Sequence, residues 1–493
     1  MKDLRERAVR GTLARVSAQA ANMALRIVSL AILARLLDPN DFGLVGMVAA
    51  LTGILSLFRD FGLSAASIQR THITDEQSST LFWINVITGV LLAGITAACA
   101  PLVARFYHEP RLYWVTVAMG TTFLINSVGI QHSAHLQRDM RFTTVSVIDT
   151  GSTLISTVIG IAAAEAGWGY WALVAMAVAS PLIGTMAFWA VTGWIPSMPR
   201  RGVGLRSMMR FGGTLTVNGV VLYVASNAEK VLLGRYWGAD AIGIYGRAFQ
   251  LIRIPTDTLT GAVGEVAFSA LSRLQDDAKR LRSYFLKGYS LVLALTLPAT
   301  VACAVLAPDM IGFLLGPKWK EAASIFRLLT PTILVFAIAN PLSWLVIALG
   351  MVARSAKMTL TIAPLMILCY FLGLPYGPKG VAFAYSIIML LWLVPVSLWS
   401  VHGTAVSFRD VVTTATHPLI ASLGAGVAAY LACAAYGHPQ QHLMRLILGI
   451  NVLLSVYTLT ILYVFNQKSY YFDLFRKLTH RAPVEEEVLV SAR

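Results

Sequence analysis

Charged residues are scarce in this sequence. Asp, Glu, Lys and Arg make up 13% of its 493 residues, about half the roughly 25% found in soluble domains. With 57% hydrophobic residues and a mean hydropathy of +0.68, a chain of this length cannot cover its outside with polar groups, so lipid must be its solvent. Cysteine is scarce too. Cys99, Cys303, Cys369 and Cys433 stand singly in apolar runs, without metal-type spacing or an evident pairing, and read as small buried hydrophobes. A compact apolar block after the basic start MKDLRERAVR is also missing, because Arg15 and Arg26 interrupt it. No cleavable signal peptide is expected, and the first helix is expected to remain in place.

Further absences narrow the chemistry. There is no Gly-rich loop ending in Lys-Ser/Thr, which argues against direct ATP hydrolysis. His132 and His135 are three apart but no carboxylate-rich motif accompanies them, so no metal site is expected. The most conspicuous connection expected outside the membrane, Ala307 to Ser324, is short and half apolar, and no Ser/His/Asp set can be assembled from such loops. The expectation is a protein that is not an enzyme and holds no cofactor, with coupling to H⁺ or Na⁺ left open.

What the sequence does contain is a long series of apolar runs. About 20 such residues cross a bilayer as a helix, and lipid leaves the backbone no other partners for its hydrogen bonds. About fourteen runs are legible, near 13–36, 42–66, 80–104, 113–134, 143–165, 168–194, 211–234, 241–270, 284–306, 322–348, 356–373, 380–401, 411–436 and 443–465. The first, second, seventh and eighth are the least apolar, so twelve is the fallback count. With the N-terminus placed in the cytoplasm, 24 Lys and Arg fall in inside segments and 8 in outside segments. That bias follows the positive-inside rule, puts both termini in the cytoplasm, and accounts for the net charge of +15 without nucleic acid.

The chain also repeats itself. A shift of 200 positions superimposes Leu33, Arg35, Gly43 and Gly46 on Leu233, Arg235, Gly243 and Gly246, four identities in fourteen positions. The run Asp38–Asp41 and its counterpart Trp237–Asp240 both carry turn chemistry. A Pro/Gly/Arg-rich connection falls between the two copies. The expected plan is an N-terminal six-helix half over 1–195, a basic cytoplasmic linker over 196–210, and a C-terminal six-helix half over 211–401. Two additional helices follow over 402–466, then a polar tail over 467–493. Parallel repeats of this kind place a substrate site between the halves and work by rocking one against the other.

Seven basic residues remain outside the loops: Arg15, Arg26, Arg59, Lys230, Arg247, Arg253 and Arg327. A charge at mid-membrane costs at least ~2.5–3.5 kcal/mol and normally faces protein or a wet cavity. All but Arg327 fall on the first, second, seventh and eighth helices, the corresponding opening hairpins of the two halves. On the first helix, Arg15, Gln19, Asn22, Arg26 and Ser29 form one stripe, which reads either as interhelical hydrogen bonds or as a cavity lining. Arg59 and Asp60 read either as part of such a lining or as a structural pair. On the eighth, Arg247, Gln250, Arg253 and Asp257 share a face, and Arg253 and Asp257 are spaced to pair with each other. Glu229 and Lys230 are adjacent and point about 100° apart; Lys230 is the one expected to face the cavity. A cavity lined by Arg and Lys suits an anion, because a guanidinium matches phosphate oxygens with two prongs. Trp83, Trp168, Trp171, Trp237, Trp344 and Trp392 could stack on sugars or form interfacial belts. Asp60, Glu229 and Asp257 are the candidates for ion coupling.

Three ordered segments, LARLLDPNDFG (Leu33–Gly43), FRDFGLSAASIQR (Phe58–Arg70) and VAFSALSRLQDD (Val266–Asp277), resemble the polysaccharide flippase family. These are Wzx-like oligosaccharide-lipid exporters of the multidrug/oligosaccharidyl-lipid/polysaccharide (MOP) superfamily. The third segment has Ser269 where the family usually has Pro, which puts a local helix kink in question. The resemblance implies an all-α polytopic membrane protein with two pseudo-symmetric helical bundles around a central cationic cavity. It implies transport of an undecaprenyl-diphosphate-linked oligosaccharide from the inner to the outer leaflet of the bacterial inner membrane by alternating access. Partners would be that lipid-linked oligosaccharide, membrane lipids, and the polymerase and glycosyltransferases of the same pathway. Arg26 and Arg59 are the residues whose positions match arginines of related peptidoglycan-lipid flippases. Two other functions compete: a cation-coupled small-solute or drug exporter of the same superfamily, which would want carboxylates to dominate a smaller cavity, and a membrane polymerase or ligase, which would want a large outside loop.

Overall fold

The computed structural model describes residues 21–59, 74–199, 206–438 and 440–465, leaving aside the side chains of 206–219, 221–222, 255–263 and 265–266. Among the described residues there are helices and no strand. α1 (21–36) turns within two residues into α2 (Pro39–Ser56). α3 (Asp75–Tyr107), α4 (Leu112–Arg138), α5 (Phe142–Glu165) and α6 (Tyr170–Thr192) complete a first group. Helix Arg206–Arg273 breaks at Gly238, whose φ of 81° only glycine adopts readily, into α7 (206–237) and α8 (239–273). There follow α9 (Ala278–Val305), α10 (Ala307–Leu314), α11 (Lys320–Leu329), α12 (Pro331–Ala348), α13 (Val352–Gly373), α14 (Gly377–Val401), α15 (Phe408–Tyr436) and α16 (His442–Leu459).

Nine helical stretches among the described residues are long and apolar enough to cross a membrane, one of them holding α13 and α14 in succession. The helices missing from that set include α2, α7 and α8, which sequence hydropathy ranks among the lowest. The run expected as one helix over 322–348 is two. Pro331 cannot donate to the ladder of α11, and α11 is amphipathic, burying Ala322, Ile325, Phe326 and Leu329 while Lys320, Glu321 and Arg327 stay exposed. The last two helices are tied back by Tyr457, whose hydroxyl donates to the Ala294 carbonyl at 2.8 Å. Asp309 of α10 adds to this, accepting from Arg445 at 3.2 Å and lying 3.0 Å from His442.

The repeated segment forms two corners, and the corners meet. Asp38 starts α2 with Pro39 in the first turn, and Asp41 accepts from the Asp38 N–H at 3.1 Å, a capping arrangement that sharpens the entry. Gly238 stands at the matching position of the second copy. α2 and α8 then cross with backbone against backbone. A Cβ on Gly43 would lie 1.8 Å from the Ala239 carbonyl oxygen, and one on Gly243 would lie 1.9 Å from that of Pro39. The 200-position shift maps each of these contacts onto the other. Across the same junction Asn40 donates to Asp240 at 3.1 Å. Arg35 reaches over to the Phe313 carbonyl at 2.6 Å, and its counterpart Arg235 reaches back to His108 Nδ1 at 2.6 Å. Trp319, fully buried, donates to the Ala34 carbonyl at 2.8 Å and meets Phe42 edge-on at 5.4 Å. Outside the spans, Arg111 grips Glu109 with two bonds of 2.8 Å and touches Asn40 at 3.3 Å.

Two measurements probe this junction. Alanine is the better helix former by up to ~1 kcal/mol, but at Gly43 it collides with a main-chain carbonyl, and overpacking costs about 1–3 kcal/mol. Gly43→Ala should therefore lower the thermal midpoint of the purified protein, whereas Gly246→Ala, whose Cβ meets nothing within 4 Å, should keep or raise it. Equal midpoints would refute the contact. The hydrogen bond from Arg111 holds the Glu109 carboxyl below its usual 4.5, so its stabilisation is present above that value and fades as pH falls below it. The stability gap between the wild type and Glu109→Gln should close on acidification from neutral pH; a gap that persists in acid would argue against the pair.

Candidate functional site

Beneath the corner junction lies a cavity of about 1190 Å³, larger than the roughly 300–1,000 Å³ typical of small-molecule sites. Helical spacing selects its lining. α2 contributes Phe42, Gly46 and Ala49 at steps of four and three, followed by Arg59 just past its end; α8 contributes Ile242, Gly246, Gln250 and Arg253 along one edge and Gly243, Arg247 and Ile254 along the other. α1 adds Asn22, Met23 and Arg26, and α7 adds Lys230. The remaining wall comes from α4 (Thr122, Asn126, Ser133), α5 (Asp149, Ser152, Thr153) and α6 (Ser180, Pro181, Thr185, Phe188).

Arg26, Arg59, Lys230, Arg247, Arg253 and Asn22 are thus brought to one cavity. Gln19 and Asp60 lie outside the described residues, as does the side chain of Asp257. Glu229 and Lys230 part ways as their helical spacing requires: Lys230 lines the cavity and Glu229 is buried, 1% exposed and outside the lining. Both Glu229 carboxylate oxygens lack a hydrogen bond among the described residues.

Neighbours hold the cations in place. Lys230 Nζ donates to Asn227 Oδ1 at 2.7 Å. The Arg247 guanidinium stacks over the Phe42 ring at 4.4 Å from its centroid and donates to Gln250; a desolvated stack of this kind contributes up to about 2 kcal/mol. Arg247 Nε is buried with no hydrogen-bond acceptor among the described residues. Asn22 donates to Thr150 at 3.1 Å, fixing α1 against α5, while its side-chain oxygen is buried without a donor among the described residues. Five basic side chains against one carboxylate, Asp149, leave the described lining net positive. In a low-dielectric wall that excess calls for an anion, and an unsatisfied guanidinium N–H calls for an acceptor.

Sequence reasoning missed the α4–α6 wall. Its signal was present as Thr122, Asn126 and Ser133, which fall on one face of α4 at steps of four and seven. The tryptophans considered for sugar stacking are not in the lining, whose aromatic rings are Phe42, Phe188 and Phe249; Trp83 and Trp237 donate to the Ser197 and Leu374 carbonyls instead. His132 stacks on Trp189 at 4.2 Å and lies 3.2 Å from the Trp194 carbonyl, and no group of metal-ligating residues occurs among the described residues.

The polytopic helical fold is one that solved structures share. Over 92% of this chain it superposes on 99% of the structure entitled "Lipid II flippase MurJ, inward closed conformation", with a TM-score of 0.71 and 14% identity. The chain belongs to the family described as "Polysaccharide biosynthesis protein" (Polysacc_synt_3), matched over residues 32–324. It is 25% identical over 360 residues to the lipopolysaccharide biosynthesis protein WzxC of Escherichia coli, covering 72% of each chain. It is 27% identical over 331 residues to the teichuronic acid biosynthesis protein TuaB of Bacillus subtilis, covering 66% of this chain and 68% of that one.

Anion binding can be measured without knowing the cargo. Charge-assisted hydrogen bonds contribute about 1.5–3 kcal/mol each. Arg247→Gln and Lys230→Met should therefore each weaken binding of inorganic pyrophosphate about 10- to 100-fold by isothermal titration calorimetry. Unchanged affinity in both would show that the cavity is not the anion site.

Proposed function

We propose that the protein is a flippase that carries an undecaprenyl-diphosphate-linked oligosaccharide across the membrane by alternating access. The observation that carries the reading is the convergence of five basic side chains, from both repeated hairpins, on one cavity of about 1190 Å³. A diphosphate offers acceptors only and matches that lining, while the volume accommodates several sugar rings and the polyprenyl tail stays in lipid. The names of the relatives, lipopolysaccharide and teichuronic acid biosynthesis proteins, and the flippase whose fold this chain shares support a polysaccharide pathway. A small-solute exporter would need neither the volume nor the excess of cations.

The 24-to-8 distribution of Lys and Arg supports a bacterial inner-membrane location with both termini in the cytoplasm. The cargo would be loaded beneath the corner junction, from the side on which glycosyltransferases build the unit, and released when the junction parts. The polymerase of the same pathway would then receive it. For coupling, Glu229 is the candidate: it is buried next to Lys230, and its carboxylate oxygens have no hydrogen bond among the described residues.

In a host deprived of its own copy, Arg26→Ala/Lys230→Ala should abolish surface polysaccharide and accumulate the lipid-linked unit inside. The variant should still reach the membrane at wild-type levels. Normal export from that well-expressed double variant would sink the assignment.

A further inference from the structure

The cavity lining is chemically divided. Lys230, Arg247 and Arg253 of α7 and α8, with Arg26 and Arg59 at the borders, present N–H donors. The α4–α6 wall is rich in acceptors. The hydroxyls of Thr122, Ser152, Thr153 and Thr185 donate to the main-chain carbonyls of Met119 (2.6 Å), Ile148 (2.7 Å), Asp149 (2.8 Å) and Ile125 (3.1 Å). Each has spent its proton, so what remains for a ligand is oxygen lone pairs. Pro181 has no N–H, which deprives the Ala177 carbonyl of its helical donor, and both residues line the cavity. Asp149 completes the set. It is the one carboxylate among the described lining residues, and no hydrogen bond or ion pair joins its side chain to another described residue.

We propose that the α4–α6 wall is the sugar subsite and that Asp149 is its specificity-determining residue. It takes a neutral sugar whose adjacent hydroxyls donate to the carboxylate, and it rejects a uronate at the same position. The proposal rests on the lipid-linked oligosaccharide reading above. It follows from matching donors to acceptors: a diphosphate can only accept and belongs against the basic side chains, while a sugar ring brings several O–H donors to a wall where these four hydroxyls, the Ala177 carbonyl and Asp149 offer acceptors. The head group is thereby oriented across the cavity. A second negative charge facing Asp149 in a low-dielectric wall would be repelled strongly, whereas a neutral ring would exchange water hydrogen bonds for charge-assisted ones.

The test uses the full chain in lipid nanodiscs and three probes: undecaprenyl diphosphate without sugar, the same lipid bearing one neutral hexose, and the same lipid bearing one uronate. The wild type should bind the hexose lipid about tenfold more tightly than the bare lipid, the effect of one charge-assisted hydrogen bond, and should bind the uronate lipid more weakly than the hexose lipid. Asp149→Asn should lose most of the hexose preference and all discrimination against uronate. Thr153→Val, which removes an acceptor without touching charge, should reduce the hexose preference a few-fold and leave the rejection of uronate intact. Unchanged affinity ratios in Asp149→Asn, or a proportional loss for all three probes, would overturn the subsite. A wild type that binds none of the three would overturn the flippase reading itself, and the subsite with it.

Discussion

The structure depends on a crossing of two helices in which main chain touches main chain. Gly43 and Gly243 have no side chain to interpose, and each lies against a carbonyl of the opposite corner, Ala239 and Pro39. Helices normally pack 8–10 Å apart across side chains; here that separation collapses at one end of α2 and α8. Just below the contact, the small residues Gly46, Ala49 and Gly246 line the cavity and leave its space unfilled. Everything that faces the cavity from α2 and α8 inherits its direction from this pivot.

The basic residues make sense in that frame. Arg247 sits one turn below Gly243 and lies on Phe42, the neighbour of Gly43. The same crossing that brings the backbones together therefore supplies an aromatic surface for a guanidinium inside the membrane. Lys230 is held by Asn227, one turn away on its own helix, rather than by a carboxylate. Neither cation is neutralised by these contacts, which orient the groups and leave their charge available. The apolar deficit of α1, α2, α7 and α8 is the counterpart of this arrangement, because each gives a face to the cavity in place of lipid.

Much of this was legible in the sequence, and the reasons are physical. Arg26, Arg59, Lys230, Arg247 and Arg253 stood out because charge in an apolar run is expensive and therefore purposeful, and helical spacing placed them on shared faces. The repeat of Leu33–Gly46 at 233–246 marked the corners but gave no sign that the corners would touch each other; a glycine in a helix has several explanations, and only the backbone paths distinguish a contact from a bend. The hydroxyls of α4–α6 escaped for a different reason. Ser and Thr in membrane helices usually satisfy themselves on the preceding turn, as Thr122 and Thr153 do, so they are quiet in sequence and become informative only once a cavity is seen beside them. The break at Pro331 was hidden because Lys320–Leu329 is apolar on one side only, and hydropathy averaged along the chain cannot register a side.

The corner junction has a further property. Because residue 39 faces 243 while 239 faces 43, and Arg35 and Arg235 each cross to the other group of helices, the contact has the form of an isologous interface, the kind that joins identical subunits about a two-fold axis. In this chain both subunits are written into one polypeptide. The segment joining them, anchored where Ser79 accepts from the Ser197 N–H at 3.0 Å, then acts as a tether: it turns a bimolecular association into an intramolecular one and sets the effective concentration at which the corners meet. A junction supplied with its partner in this way does not have to bind tightly to stay assembled.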